Sequence, residues 1–109
     1  MQTAFGEADW KYLRSIHDEM LHALCSRINK RAAEIAMAEG RDAHKQYLAL
    51  YRHIKDADAV IAVCFNDWRR STIGNCILAL RHNSLLHDSH VAHLSDSARE
   101  WLANFEESL

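Results

Sequence analysis

Proline is missing from all 109 residues of this chain, and glycine occurs only at Gly6, Gly40 and Gly74. Ordinary usage is roughly 5% proline and 7% glycine, so the residues that most readily break or turn a backbone are scarce here. Turns must be few and helices long. The glycines fall close to where the hydrophobic periodicity starts, stops or restarts, as helix punctuation should. The pattern predicts an all-α fold: a long antiparallel helical hairpin plus two or three short C-terminal helices, forming a helical bundle and a single domain over residues 1–109.

The first helix is expected from Glu7 to Glu39. Leu13, Ile16, Met20, Leu24, Ile28, Ala32 and Ile35 step by three or four, with a mostly polar opposite side. Glu7 and Asp9 sit where the positive end of the helix dipole favours acids, and Gly40 is placed for a left-handed C-cap. Asp42 is a good N-cap for a second helix reaching to near Arg70. It carries Tyr47, Tyr51, Ile54, Asp58, Ile61, Phe65 and Trp68 in alternating steps of four and three, a heptad seam with one acid in it, widened by Ala57, Val60 and Cys64. Ser71 or Thr72 can cap a third helix with Ile73, Ile77 and Leu80, ended by the polar stretch from Arg81 to Ser84. Asp88 caps a short helix through Leu94, and Ser95 a last one whose apolar face is Ala98, Trp101, Leu102, Phe105 and Leu109. Glu106 and Glu107 stand at the wrong end of that dipole, so fraying is expected there.

Geometry adds a consequence. A helix of about 33 residues is roughly 50 Å long, whereas a compact domain of this size is roughly 35 Å across. The hairpin should therefore overhang its own globule. With the turn near Gly40 to Asp42, facing residues have numbers summing to about 81, which brings Trp10 near Trp68, His17 near Cys64 and His22 near Asp58. Trp101 and Phe105 can cover the open end, leaving Ile35, Met37, Tyr47 and Tyr51 short of partners at the closed end. A homodimer through the hairpin is the expected assembly. In the competing arrangement, the third and last helices fold back along the whole hairpin and complete a monomeric bundle.

Composition narrows the function classes. Hydrophobic residues at 49% and charged residues at 26% describe a chain able to bury a core, not a disordered one. A net charge of -2 supplies no basic field for nucleic acid or anionic lipid. The longest uncharged run, Ser71 to Leu80, is about half of the roughly 20 residues that a membrane span needs. Cys25, Cys64 and Cys76 are odd in number and never in a CxxC pair, and no basic-then-apolar segment opens the chain, so a cytoplasmic protein is expected.

Several clusters could carry chemistry. Eight histidines invite a metal reading. Glu19 and His22 have the Glu-x-x-His spacing that di-iron helical bundles use twice, and Asp58 faces them, so these residues are candidate ligands for a divalent metal. The competing reading is a hydrogen bond from His22, or from an arginine such as Arg27, that satisfies a seam acid. His87, Asp88, His90 and His93 form a second candidate, since histidines three apart share a helix face. Its bland counterpart is a polar turn entering a short helix. His17 beside Cys64 could make a reactive thiolate, although both lie near apolar stripes. Arg69, Arg70 and Arg81 are candidate phosphate contacts in a nucleic-acid reading, for which three charges without exposed aromatics are thin support.

Arg81 followed by His87 resembles the Arg-x(4 to 6)-His element of the helical ribonucleases called HEPN domains, a resemblance that covers two residues. It implies a nuclease-like alternative. The leading expectation is a small helical interaction module that self-associates, weighed against an enzyme of the metal-binding or nuclease-like class, with neither membrane nor nucleic acid as expected partner.

Overall fold

The computed structural model describes residues 4–40 and 42–107, except for the side chain of Glu107. The fold is all-α, with α1 Glu7–Met37, α2 Ala43–Phe65, α3 Ile73–His82, α4 Asp88–Val91 and α5 Asp96–Glu107. No strand occurs among the described residues. Leu109 of the expected α5 face lies outside them.

Each boundary has a local cause. Gly6 is the N-cap of α1, where its own N–H donates to the Asp9 carboxylate three residues on. Gly40 takes φ +76°, the left-handed region in which a side chain is strained, and α1 stops at Met37 rather than Glu39. Asp42 caps α2 by accepting from the backbone N–H groups of His44 and Lys45 at 2.9 and 3.0 Å.

Two expectations are corrected in α2. It ends at Phe65, not near Arg70, because the Thr72 hydroxyl donates to the Asp67 carbonyl and accepts from the Arg69 N–H, and this side chain holds a turn instead of a helix. Trp68 still meets Trp10, with ring centroids 6.4 Å apart, and donates its indole N–H to the Cys64 carbonyl. The seam is also rotated by about one residue: Ala57 is buried and Asp58 is exposed. Bulky Tyr47, Tyr51 and Ile54 would hold the helices apart, so α2 instead closes on α1 through Gln46, His53 and small Ala57. The facing register is as expected. His53 bonds the Ile28 carbonyl, Gln46 the Ile35 carbonyl, and His17 packs edge-on against Phe65, pairs whose numbers sum to about 81.

The core lies at one end of the hairpin. Leu13, Ile16, Met20 and Leu24 of α1 pack with Cys64 and Phe65 of α2, with Ile73, Ile77 and Leu80 of α3, and with Leu85, Leu86, Leu94, Ala98 and Leu102 beyond it. Gly74, which the sequence marks as punctuation, is the second residue of α3. A Cβ there would meet the Trp101 ring at 3.0 Å, so this glycine permits a close approach. Past Leu24 no residue of α1 is buried, and before Ala57 none of α2 is. The molecule measures 54 × 28 × 23 Å with a radius of gyration of 17.0 Å, against about 13 Å for a compact chain of this length. α3 to α5 do not fold back along the whole hairpin.

Candidate interaction face

The histidine and carboxylate candidates point in several directions. Glu19 approaches His90, with Oε2 3.8 Å from Nε2, while His90 Nδ1 accepts the His87 backbone N–H at 2.9 Å. Neutral His90 therefore carries its proton on Nε2, toward Glu19. The His87 ring stacks on His90, His93 stacks instead on Tyr12 at 4.8 Å, and Asp88 reaches Arg81. Burial, and then the Glu19 charge, push the Tyr12 hydroxyl pKa up. His22 and Asp58 are both exposed. Among the described residues no three His, Cys, Asp or Glu side chains are grouped so that they could hold a metal ion.

The three candidate arginines each have a carboxylate. Arg69 pairs with Asp67 at 2.7 Å and Arg70 with Glu7 at 2.7 Å. Arg81 is held by Glu106 at 2.8 Å, by Asp88 at 3.0 Å and by the Leu86 carbonyl, and the Glu106 hydrogen bond is the main reason its pKa is raised. Paired in this way with separate acids, these three arginines do not converge on a common surface. His87 stands beside Arg81 on the wall of a shallow depression, and Asp88 and Glu106 occupy the guanidinium. His17 sits edge-on against Trp68, its ring 4.5 Å away, and bonds Asp18. Cys64 is fully buried, and burial pushes its thiol pKa up, the reverse of an activated thiolate.

Four residues hold the frame through contacts that the sequence did not point to. Buried Asp9 accepts from Ser95 N–H and Ser95 Oγ at 2.7 Å each, as well as from Gly6, and so ties the start of α1 to the start of α5. Gln46 donates from Nε2 to the carbonyls of Ile35, Ala36 and Ala38 at 2.8 to 2.9 Å, which satisfies the end of α1 where no basic residue stands. His53 bonds the Ile28 carbonyl at 3.0 Å. Arg27 forks onto the carbonyls of Asn83 and Ser84 at the end of α3, both at 2.7 Å.

One side of the hairpin carries α3 to α5. The other side is open. At 100° per residue, the side of α2 turned away from α3 carries Tyr47, Tyr51, Ile54, Asp58 and Ile61, and the matching side of α1 carries Asp18, Cys25, Asn29, Ala32 and Ala36. Tyr47 is 61% exposed, Tyr51 58% and Ile54 45%, with Leu48 and Met37 also out in solvent at the tip. Two hollows mark this face. One of about 200 Å³ lies between Cys25, Ile28 and Asn29 of α1 and Ile54, Ala57 and Ile61 of α2. The other, about 270 Å³, lies near the open end among Trp10, Arg14, His17, Asp18 and Trp68. Outer α1 residues at the tip, including Lys30, Arg31 and Glu34, are polar by contrast.

The chain is thus an all-α hairpin protein whose main uncommitted feature is an exposed apolar face. No protein-family profile, no curated protein and no solved structure matches it.

Proposed function

We propose that this protein is a small helical interaction module that self-associates through the uncovered face of its hairpin. The observation that carries this reading is the exposure of Tyr47, Leu48, Tyr51 and Ile54 on the part of α2 where no residue is buried. Isolated helices shorter than about 12 to 15 residues are marginal in water, and the projecting halves of α1 and α2 are about that long. Within the chain they are joined mainly by Gln46, His53 and half-buried Ile28, Ile35 and Leu50. A second copy laid on this face gives them the apolar partner they lack.

A cytoplasmic setting accords with three free thiols at Cys25, Cys64 and Cys76. No helix among the described residues is long and apolar enough to cross a membrane. Light scattering after size exclusion at tens of micromolar tests the reading. A mass near twice 12.5 kDa is expected for the native chain, and the monomer mass for Tyr51→Lys with the cooperative melting of its core retained. A native chain that runs as a monomer would end the proposal.

A further inference from the structure

The two helices of the uncovered face differ in side-chain size, and we infer from this how two copies meet: the twofold axis runs parallel to the hairpin, so that α2 of each copy lies along α1 of the other with both tips at the same end. This rests on the self-association proposed above and adds its geometry.

The face of α2 is bulky, with Tyr47, Tyr51, Ile54 and Ile61 in a row. From Cys25 to the tip the face of α1 is small, with Cys25, Asn29, Ala32 and Ala36. An axis along the hairpin keeps every residue at its own height, so the facing rule within one chain, numbers summing to about 81, also holds between copies. Tyr47 then falls over Ala32 and Ala36, Tyr51 over Asn29 and Ala32, and Ile54 over Cys25 and Asn29. Large side chains enter spaces left by small ones twice, once on each side of the axis.

The placement of polar groups agrees with size. Asp58, exposed and without an ion pair in its own chain among the described residues, comes opposite His22 of the other copy.

The alternative twofold, with tips at opposite ends, stacks α2 on α2 and α1 on α1. Tyr47 and Tyr51 then meet the Phe65 and Ile61 end of the partner's α2, the small residues at the tip of α1 meet Arg14 and Asp18 instead of bulky apolar side chains, and Asp58, close to mid-height, comes near its symmetry mate. That arrangement sets bulky side chains against bulky ones in one half, gives the tip alanines no apolar partner in the other and sets like charges together.

The size of the face suits a second copy. α2 is 23 residues long, and two helices side by side are about 20 Å wide over a length of about 35 Å, so full overlap covers roughly 700 Å² per copy and roughly 1,400 Å² in total, the size of an ordinary stable interface.

Crosslinking between two differently tagged copies tests the geometry, in a Cys25→Ser background whose dimeric mass is first checked by light scattering. One copy carries Ala36→Cys and the other Ala43→Cys, exposed tip positions that leave the tyrosines intact. Mild oxidation is expected to give a covalent pair holding one of each, while Ala36→Cys mixed with Arg14→Cys gives none. A second arm reads affinity. His22→Asp should raise the dimer Kd about 10-fold, and adding Asp58→Lys should restore it. A dimer that links Ala36 to Arg14, or links neither pair, overturns the geometry and leaves self-association standing. A native chain of monomer mass removes both.

Discussion

Asp9 reads in the sequence as one of two acids in the first turn of α1, with nothing nearby to set it apart from Glu7. Its partner Ser95 is 86 residues away, so its role as a buried acceptor exists only once α5 has docked. Asp9→Ala leaves the Ser95 and Gly6 N–H groups without that acceptor and should cost about 2 to 4 kcal/mol, read as a lower urea midpoint with an unchanged slope. A midpoint within error of the native value would mean that water replaces the carboxylate. Cys64 and Cys76 are buried, and their burial has a pH consequence. Burial raises both thiol pKa values, so the folded chain holds these protons more tightly than the unfolded chain. Stability is then complete below the unfolded thiol pKa of about 8.5 and falls as pH rises through the folded values. Melting scans from pH 7 to 10 should show this alkaline loss, and a Cys64→Ala, Cys76→Ala chain should show less of it.

Among the elements, the helices that carry a periodic apolar stripe and a capping side chain were legible: Asp42 opens α2, and the stretch from Arg81 to Ser84 closes α3. The end of α2 was not, because the stripe runs on to Trp68 while the chain leaves the helix at Phe65, where Thr72 and Asp67 offer the backbone a turn. Nor was the rotation of the seam. A heptad of Tyr47, Tyr51 and Ile54 is apolar enough to face α1, but helix approach is decided by which side chains let the backbones come close, and Ala57 does so better. Gln46 illustrates what pattern reading passes over, a polar residue between apolar ones whose value lies in the three carbonyls it reaches. Gln46→Leu should destabilise the hairpin by about 1 to 2 kcal/mol through loss of these bonds. Gln46→Glu keeps the shape but aims a carboxylate at the negative end of α1, so it should cost more than Leu. Chemical denaturation ranks the three, and a Glu variant as stable as the native chain would refute the capping role.

For the whole molecule, the length of the hairpin against the amount of chain left to cover it decides the shape. A core confined to one end and a 54 Å long axis leave the tip supported by few buried groups of its own. If a second copy supplies them, backbone amides of Leu48 to Ile54 should exchange slowly at 100 μM and much faster near 1 μM, while those of Leu13 to Met20 change little. Equal exchange at both concentrations would place the tip's stability within a single chain. The sequence by itself determined the helical class, the hairpin turn, the facing register near a sum of 81 and the shortage of partners at the tip, because periodicity, capping and helix rise are local quantities set by neighbours three or four residues apart. Only the tertiary structure decided which side of α2 meets α1, that Asp58 faces out, that Arg69, Arg70 and Arg81 are matched by acids, and that the histidines part company. Those outcomes depend on which distant surfaces come within hydrogen-bond or van der Waals reach, a distance condition that no local pattern encodes.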